Sequence, residues 1–257
     1  MDSLFSIKDK IALVTGGSRG IGYMIAASYV KAGARVYITS RDQEQCAAVE
    51  KELSATGFCR AISGDLSKLS EIERIVSETE VLEPKLDILV NNAGATWGAS
   101  LEEFPEKGWD KVTSLNVKTP FFLIQKFLPM LKVGATLDDP SRIINIGSVD
   151  GIRVPIWDNY SYAASKAGLH HLSKTLVRPL AGHNINVNTI APGPFSTDMM
   201  APMKEAGWGD TVTSAVPLNR FGEAKDIIGT AIFLASQASS YITGATIPVD
   251  GGMSGST

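Results

Sequence analysis

The stretch Ile11-Ala-Leu-Val-Thr-Gly-Gly-Ser-Arg-Gly-Ile-Gly22 couples a short apolar run to a turn that carries four glycines. Five apolar or β-branched residues bounded by glycine read as a buried strand. The glycines let the chain turn sharply and approach a ligand with no Cβ in the way. The stretch that follows, about residues 20–32, reads as an amphipathic helix. Free N–H groups at such a helix start, backed by the helix dipole, favour a pyrophosphate. The spacing is G-x-x-x-G-x-G, not the commoner G-x-G-x-x-G, so its position between a strand and a helix is what gives it weight. A tight turn without a ligand is the competing reading, and spaced glycines in this context argue against it.

Working outward, the same alternation continues to the end of the chain. Apolar runs at 35–39, 59–63, 86–90, 142–146, 185–190 and 246–249 read as further strands. Helical patterns fall between them at about 20–32, 42–56, 69–81, 101–132, 160–181 and 224–236. Near-continuous apolar strands suit a sheet covered on both faces. Strand and helix in alternation predict an α/β fold: a Rossmann-like doubly wound parallel sheet of about seven strands in a single domain. Residues 192–223 break the rhythm with prolines and an apolar set that includes Phe195, Met199, Met200 and Trp208. A long insert of this kind reads as a substrate lid at about 193–223, with a small packing element as the alternative.

The 257 residues suit one large α/β domain. A net charge of −3 and a pI near 5.7 offer no basic field for nucleic acid or anionic membrane. No run of eighteen apolar residues suggests a membrane span. The start of the chain, residues 1–6, lacks the basic flank and long apolar run of a signal peptide, so the expectation is a cytoplasmic protein. Cys46 and Cys59 read as reduced thiols. His170 and His171 are adjacent and His183 stands alone, which is no metal-ligand spacing.

The second strand runs into Thr39-Ser-Arg-Asp42. An acidic residue at this place suits the ribose 2′-hydroxyl of NAD, whereas arginine suits the 2′-phosphate of NADP. Ser40 takes the strand-end position, and Arg41 and Arg19 could grip a phosphate through paired donors. Asp42 on the ribose would give NAD, but Asp42 is equally placed to cap the next helix. The reading favours NADPH.

Tyr162 and Lys166, four residues apart in a helical stretch, share a face. A free tyrosine, with a pKa near 10, is a poor acid–base catalyst at neutral pH, and a nearby ammonium would lower that value. A surface pair packed on a helix is the alternative. Ser148 lies just past the 142–146 strand, where parallel sheets bind ligands, and Asn91–Gly94 closes another strand in the same way. Asn116 sits in an apolar helix pattern, and a buried amide must be satisfied. That suggests a polar network or a bond to a nearby loop.

These motifs resemble those of the short-chain dehydrogenase/reductase family, in order, from Lys10 to Gly252. The resemblance implies that the turn with Gly16, Ser18, Arg19, Gly20, Ile21 and Gly22 holds the cofactor pyrophosphate. It places Asp65 and Leu66 at the adenine and Asn92, Ala93 and Gly94 along the cofactor. Pro192, Gly193 and Thr197 would touch the nicotinamide end. Asn116, Ser148, Tyr162 and Lys166 match the catalytic positions. The implied chemistry is hydride delivery from NADPH to a carbonyl carbon with a proton from Tyr162. Lys166 would lower the Tyr162 pKa and hold the nicotinamide ribose, Ser148 would bind the reacting oxygen, and Asn116 would position a water. The resemblance also implies a homotetramer built through the two long helices.

Tyr162 follows Ser148 by fourteen residues, one more than is common in the family. Tyr160 is a second candidate, but only Tyr162 has a lysine at i+4. This spacing, with Trp97 and the segment 147–152, is most similar to 3-oxoacyl reductases of the kind associated with rhamnolipid synthesis. The expected pocket wall comprises Trp97, Ser148, Val149, Ile152, Val154, Trp157, Phe195, Met199 and Met200, an apolar set suited to an acyl chain or hydrophobic ketone. Core or interface roles are the alternative for several of them. Three functions compete: a ketone reductase, a dehydrogenase of secondary alcohols, polyols or sugars, and a non-enzymatic NADPH-binding sensor. The sensor would be expected to lack at least one of the four catalytic residues.

Overall fold

Strand β1, Ile11–Thr15, is buried at all five positions and lies inside the sheet, third from one edge. A computed structural model describes residues 3–201, 205 and 207–256. After β1 come α1 (Gly20–Lys31), β2 (Arg35–Thr39), α2 (Gln43–Leu53), β3 (Cys59–Ala61), α3 (Leu69–Leu82) and β4 (Ile88–Asn91). Next are α4 (Glu106–Thr113), α5 (Thr119–Val133), β5 (Ser141–Ile146), α6 (Tyr160–Ala181) and β6 (Ile185–Pro192). Helices α7 (Gly209–Ser214) and α8 (Ala224–Ala235) and strand β7 (Thr246–Val249) complete the order.

The seven strands are parallel and ordered β3-β2-β1-β4-β5-β6-β7. Side chains of β1 alternate between two cores, as the strand period demands. Ala12 and Val14 pack under α1, α2 and α8, while Ile11 and Leu13 pack under α3 and α5. The chain winds one way from β1 to β3 and then returns to place β4 on the other side of β1. That reversal puts the carboxyl ends of β1 and β4 side by side, the position where doubly wound sheets bind ligands.

The expected Rossmann-like sheet of seven strands is present. The helix expected over 101–132 begins only at Glu106, because Pro105 occupies its N-cap position with extended backbone. It is also not a uniform α-helix: residues Ser114–Lys118 form a π turn between α4 and α5. Strand β3 ends at Ala61, two residues short of the expected run. In the 193–223 segment a 3₁₀ turn covers Asp198–Met200, followed by α7. The ends of the segment are tied together where Gly222 N–H donates to the Pro194 carbonyl and Ser196 N–H to the Gly222 carbonyl. No helix among the described residues is long and apolar enough to cross a membrane. Cys46 and Cys59 are both buried and free.

Candidate active site

The glycine turn leaves β1 at Thr15 and enters α1. Gly16 and Gly20 have φ of +63° and +55°, a region that side chains rarely adopt. At Gly22 a Cβ would stand 2.2 Å from the Gly16 carbonyl oxygen and 2.3 Å from Asn92 Nδ2, so only glycine fits. Asn92 Nδ2 donates to the Thr15 and Gly16 carbonyls at 2.9 and 3.2 Å. Thr15 Oγ1 in turn accepts from the amides of Asn92 and Ala93. The end of β4 is thus stapled to the turn, and together they form a cradle beside the α1 N-terminus that fits a dinucleotide pyrophosphate. Thr197 comes from the far side of the sheet to lie against this turn, within 3.6 Å of where a Gly20 Cβ would be.

Beyond β2, Asp42 caps α2: its Oδ1 accepts from the Gln45 amide at 2.9 Å. Arg19 and Arg41 are exposed at the same edge. Burial pushes the Asp65 carboxyl up, but bonds from the Ser67 hydroxyl and amide, with the Lys68 and Arg41 charges, outweigh it and leave the group below its usual range. Asp65 therefore feels the Arg41 charge across the edge of the cradle. Leu66 is buried, and its carbonyl accepts from Thr119 Oγ1 at the start of α5.

The catalytic candidates converge past the ends of β4 and β5. Asn116 lies within the π turn and is 1% exposed. Its Nδ2 donates to the Ala95 carbonyl and to Ser165 Oγ, and its Oδ1 accepts from the Ala95 amide, each at 2.9 Å. Both readings offered by the sequence are met: the side chain bonds the loop at Ala95 and joins a polar network through Ser165, whose hydroxyl donates to the Tyr162 carbonyl, and so locks the segment after β4 to α6. π turns recur at functional sites because they re-aim backbone groups.

Ser148 follows β5, and its Oγ accepts from the Asp150 amide at 3.1 Å, leaving its own hydrogen to donate. Lys166 is 5% exposed on α6. Its Nζ donates to the Ile146 carbonyl at 2.6 Å and stands 5.6 Å from the centre of the Tyr162 ring. Burial pushes the Tyr162 phenol up to about 12. Hydrogen bonding with Ser148 opposes this, and the Asp150 charge adds to it. Burial also brings Lys166 down to about 8. The expected lowering of the Tyr162 pKa by Lys166 is therefore not what sets it here: desolvation dominates both groups, and the ammonium is turned to a backbone carbonyl. Burial likewise pushes the Asp150 carboxyl up, against an Asn159 hydrogen bond and the Arg153 charge. Asn159 Nδ2 donates to Asp150 Oδ2 at 2.9 Å, while Asn159 Oδ1 is buried without a partner. Tyr160 points elsewhere, its hydroxyl donating to Asp158 and its ring lying edge-on to Phe104.

The expected pocket wall is only partly borne by the geometry. Val149 packs with Val216 and Met253 in a small core. Phe195 is 3% exposed in the main core, where its ring crosses Gly222 so closely that a Cβ there would be 2.7 Å away. Both side chains are thus buried, Val149 directly after Ser148 and Phe195 at the start of the 193–223 segment. The Trp97 ring lies against Gly108 of α4, with Lys107 and Lys111 over its faces at 5.9 and 5.5 Å. Ile152 and Val154 are exposed, and Met200 is half-buried. The Met199 side chain lies outside the described residues. Trp157 meets Trp208 of the insert edge to face at 5.8 Å. That pair joins the segment between Ser148 and α6 to the insert, and only the tertiary structure brings it together. A cavity of about 510 Å³ lies among Pro194, Phe195, Leu218, Arg220 and Gly251, but none of Asn116, Ser148, Tyr162 or Lys166 lines it. No group of three or more potential metal ligands occurs among the described residues.

A family model described as enoyl-(acyl carrier protein) reductase matches residues 16–254. The rhamnolipids biosynthesis 3-oxoacyl-(acyl-carrier-protein) reductase of Pseudomonas aeruginosa is 47% identical over 253 residues, covering 98% of this chain and 99% of that protein. The 2-dehydro-3-deoxy-D-gluconate 5-dehydrogenase of Dickeya dadantii is 35% identical over 254 residues, covering 96% of each. Among solved structures, the Pseudomonas aeruginosa RhlG/NADP active-site complex superposes with a TM-score of 0.96 at 46% identity, covering 99% of this chain and 100% of that one.

Proposed function

The chain belongs to the short-chain dehydrogenase/reductase family, and from that premise we propose that it is an NADPH-dependent reductase of a 3-oxoacyl ester, thioester or similar hydrophobic ketone. The observation that carries this reading is the convergence of Ser148, Tyr162 and Lys166 beside the phosphate cradle at the switch point of the sheet. The turn from Gly16 to Gly22, with Asn92–Gly94 and Pro192–Thr197, would hold the dinucleotide. The Asp42 carboxylate already caps α2, which leaves the 2′ position to Arg19 and Arg41 and supports NADPH over NADH.

Hydride comes from the reduced nicotinamide when it is bound. Ser148 donates its hydroxyl hydrogen to the carbonyl oxygen and holds the substrate beside Tyr162. The phenol, raised to about 12, stays protonated at neutral pH and is a weak acid there, so its proton passes only as the carbonyl oxygen gains alkoxide character and becomes the stronger base. As the carbon gains hydride, the oxygen takes the Tyr162 proton, so the C=O π bond is replaced by one C–H and one O–H bond. Lys166, one turn away, supplies positive charge for the phenolate that remains.

The 193–223 segment acts as a substrate lid in this reading, with Trp208 resting on Trp157 as its point of contact. The helices α4, α5 and α6 form the faces of a homotetramer, which would cover Trp109 and Phe121, left exposed on α4 and α5. Two buried free thiols suit a reducing, cytoplasmic setting. A polyol or sugar substrate is favoured by the Asp150–Asn159 pair near Tyr162, with its buried, unpartnered amide oxygen, and by the gluconate-type relative.

The test is NADPH oxidation followed against 3-oxoacyl thioesters, 3-oxoesters, simple ketones and sugar acids, with NADH in parallel. Tyr162→Phe is expected to lower kcat by a factor of about 10² to 10⁴ while NADPH still binds. A preference for sugar acids would overturn the apolar-substrate reading, and near-normal turnover by Tyr162→Phe would overturn the mechanism. A protein that binds NADPH and reduces none of these compounds would be the sensor instead.

A further inference from the structure

We propose that His170 is a positioning residue that holds the Ser148 loop onto α6 and so fixes where the Ser148 hydroxyl meets the substrate; as a statement about catalysis this rests on the reductase reading above. The loop Gly147–Gly151 is moulded around the imidazole. A Cβ on Gly147 would stand 2.1 Å from His170 Nε2, and one on Gly151 would stand 2.8 Å from Cε1. The ring is the closest neighbour at Gly147, while at Gly151 a Cβ would also meet the α6 backbone at Lys166 and Ala167, 2.7 and 2.8 Å away, so both glycines let the loop lie flat on the helix around His170. The Ser148 amide donates to His170 Nε2 at 3.3 Å, and the Ser148 carbonyl accepts from the Gly151 amide at 3.0 Å. On its other side the ring shares a hydrogen bond with the Gly151 backbone.

An imidazole that accepts at Nε2 is neutral and carries its proton on Nδ1. Burial, with the Lys166 and Lys174 charges, holds His170 in that form by bringing it down to about 4. His170 is 7% exposed; it acts through Ser148. Tyr162, Lys166 and His170 succeed one another at four-residue steps along α6, so one stripe of that helix carries the proton donor, its cationic neighbour and the anchor of the serine loop. A leucine at 170 would fill similar space but leave the Ser148 amide buried without an acceptor. A glutamine could return an acceptor oxygen to the place of Nε2.

The experiment compares His170→Leu, His170→Gln, Ser148→Ala and the Ser148→Ala/His170→Leu pair in the full-length chain. His170→Leu is expected to lower kcat for ketone reduction about 10- to 100-fold, the scale of loss from misplacing a reacting group, with NADPH affinity unchanged. In the Ser148→Ala background the same change should cost nothing further, because both act at one point. His170→Gln should recover most of the loss. Independently of turnover, hydrogen exchange at the Ser148 amide should quicken in His170→Leu and not in His170→Gln. Should His170→Leu not fold, His170→Asn, too short to reach the Ser148 amide, takes its place. Wild-type turnover in the leucine variant, additive losses in the double variant, or unchanged exchange at Ser148 would each overturn the proposal. If the wild-type chain reduces no ketone, the reductase reading fails, while the exchange measurement still decides the His170 contact.

Discussion

Tyr162 and Lys166 face one another across a turn of α6 in a setting that disfavours charge on both. Burial raises the phenol to about 12 and lowers the ammonium to about 8, and Asp150 lends the phenol a further upward push. Removing that anion must therefore ease ionisation of Tyr162. Asp150→Asn is expected to move the alkaline fall-off of ketone reduction to lower pH, since reduction needs the protonated phenol; a pH–rate profile that stays put or moves upward would refute the link. Lys166 has the opposite sign. Its folded-state value lies below the ordinary 10.5, so its contribution to stability is present above that pH and lost as pH falls through about 8. At neutral pH the fold carries a buried, unpaired cation. Lys166→Met should raise the melting temperature by several degrees, as removing a penalty on the order of 3 kcal/mol does in a chain of this size, while turnover collapses. Stability bought at the expense of activity is the expected pattern at a functional site. The i,i+4 spacing made Tyr162 and Lys166 legible in the sequence. Asp150 and His170 were not, because nothing local says that a loop residue and a second-turn histidine will meet the same serine.

Among the elements, α2 and the π turn show how far local patterns reach. Asp42 was open to two readings, ribose ligand or helix cap, and the bond to the Gln45 amide shows the cap. Asp42→Ala should cost about 1 kcal/mol of stability, as lost N-caps do, and leave the NADPH to NADH preference unchanged. A shift toward or away from NADH in that variant would restore the ribose role. The apolar pattern over 101–132 announced a helix but not its interruption. Side-chain periodicity is blind to a single widened turn, which forms because Asn116 must reach both Ala95 and Ser165 at once. The false start at 101 has a simpler cause: Leu101 belongs to an exposed turn before Pro105, and its apolarity carried no helical information.

For the whole molecule, the seven-stranded sheet makes the site by bringing together residues from distant parts of the chain, and that assembly has its own pH limit. His170 lies folded at about 4 against an ordinary 6.5, so its contribution to stability is full above 6.5 and is lost as pH falls to about 4. Urea unfolding at pH 5 should show a loss on the order of 1–3 kcal/mol relative to pH 7, and His170→Gln should flatten that window; an unchanged slope would remove His170 as its source. The sequence by itself determined the alternation of strand and helix, the glycine turn and the Tyr162–Lys166 pair, because each is a local pattern: a period, a spacing or a bond between near neighbours. Tertiary structure alone decided that Val149 and Phe195 are core, that Trp157 meets Trp208, and that the histidine one turn beyond Lys166 grips the serine loop. Those outcomes depend on which surfaces are pressed together once the sheet has formed, and the order of residues along the chain holds no record of that pressure. The turn that opens at Gly16 was readable from its letters; the ring that shapes the loop from Gly147 to Gly151 became visible only when α6 was laid beneath it.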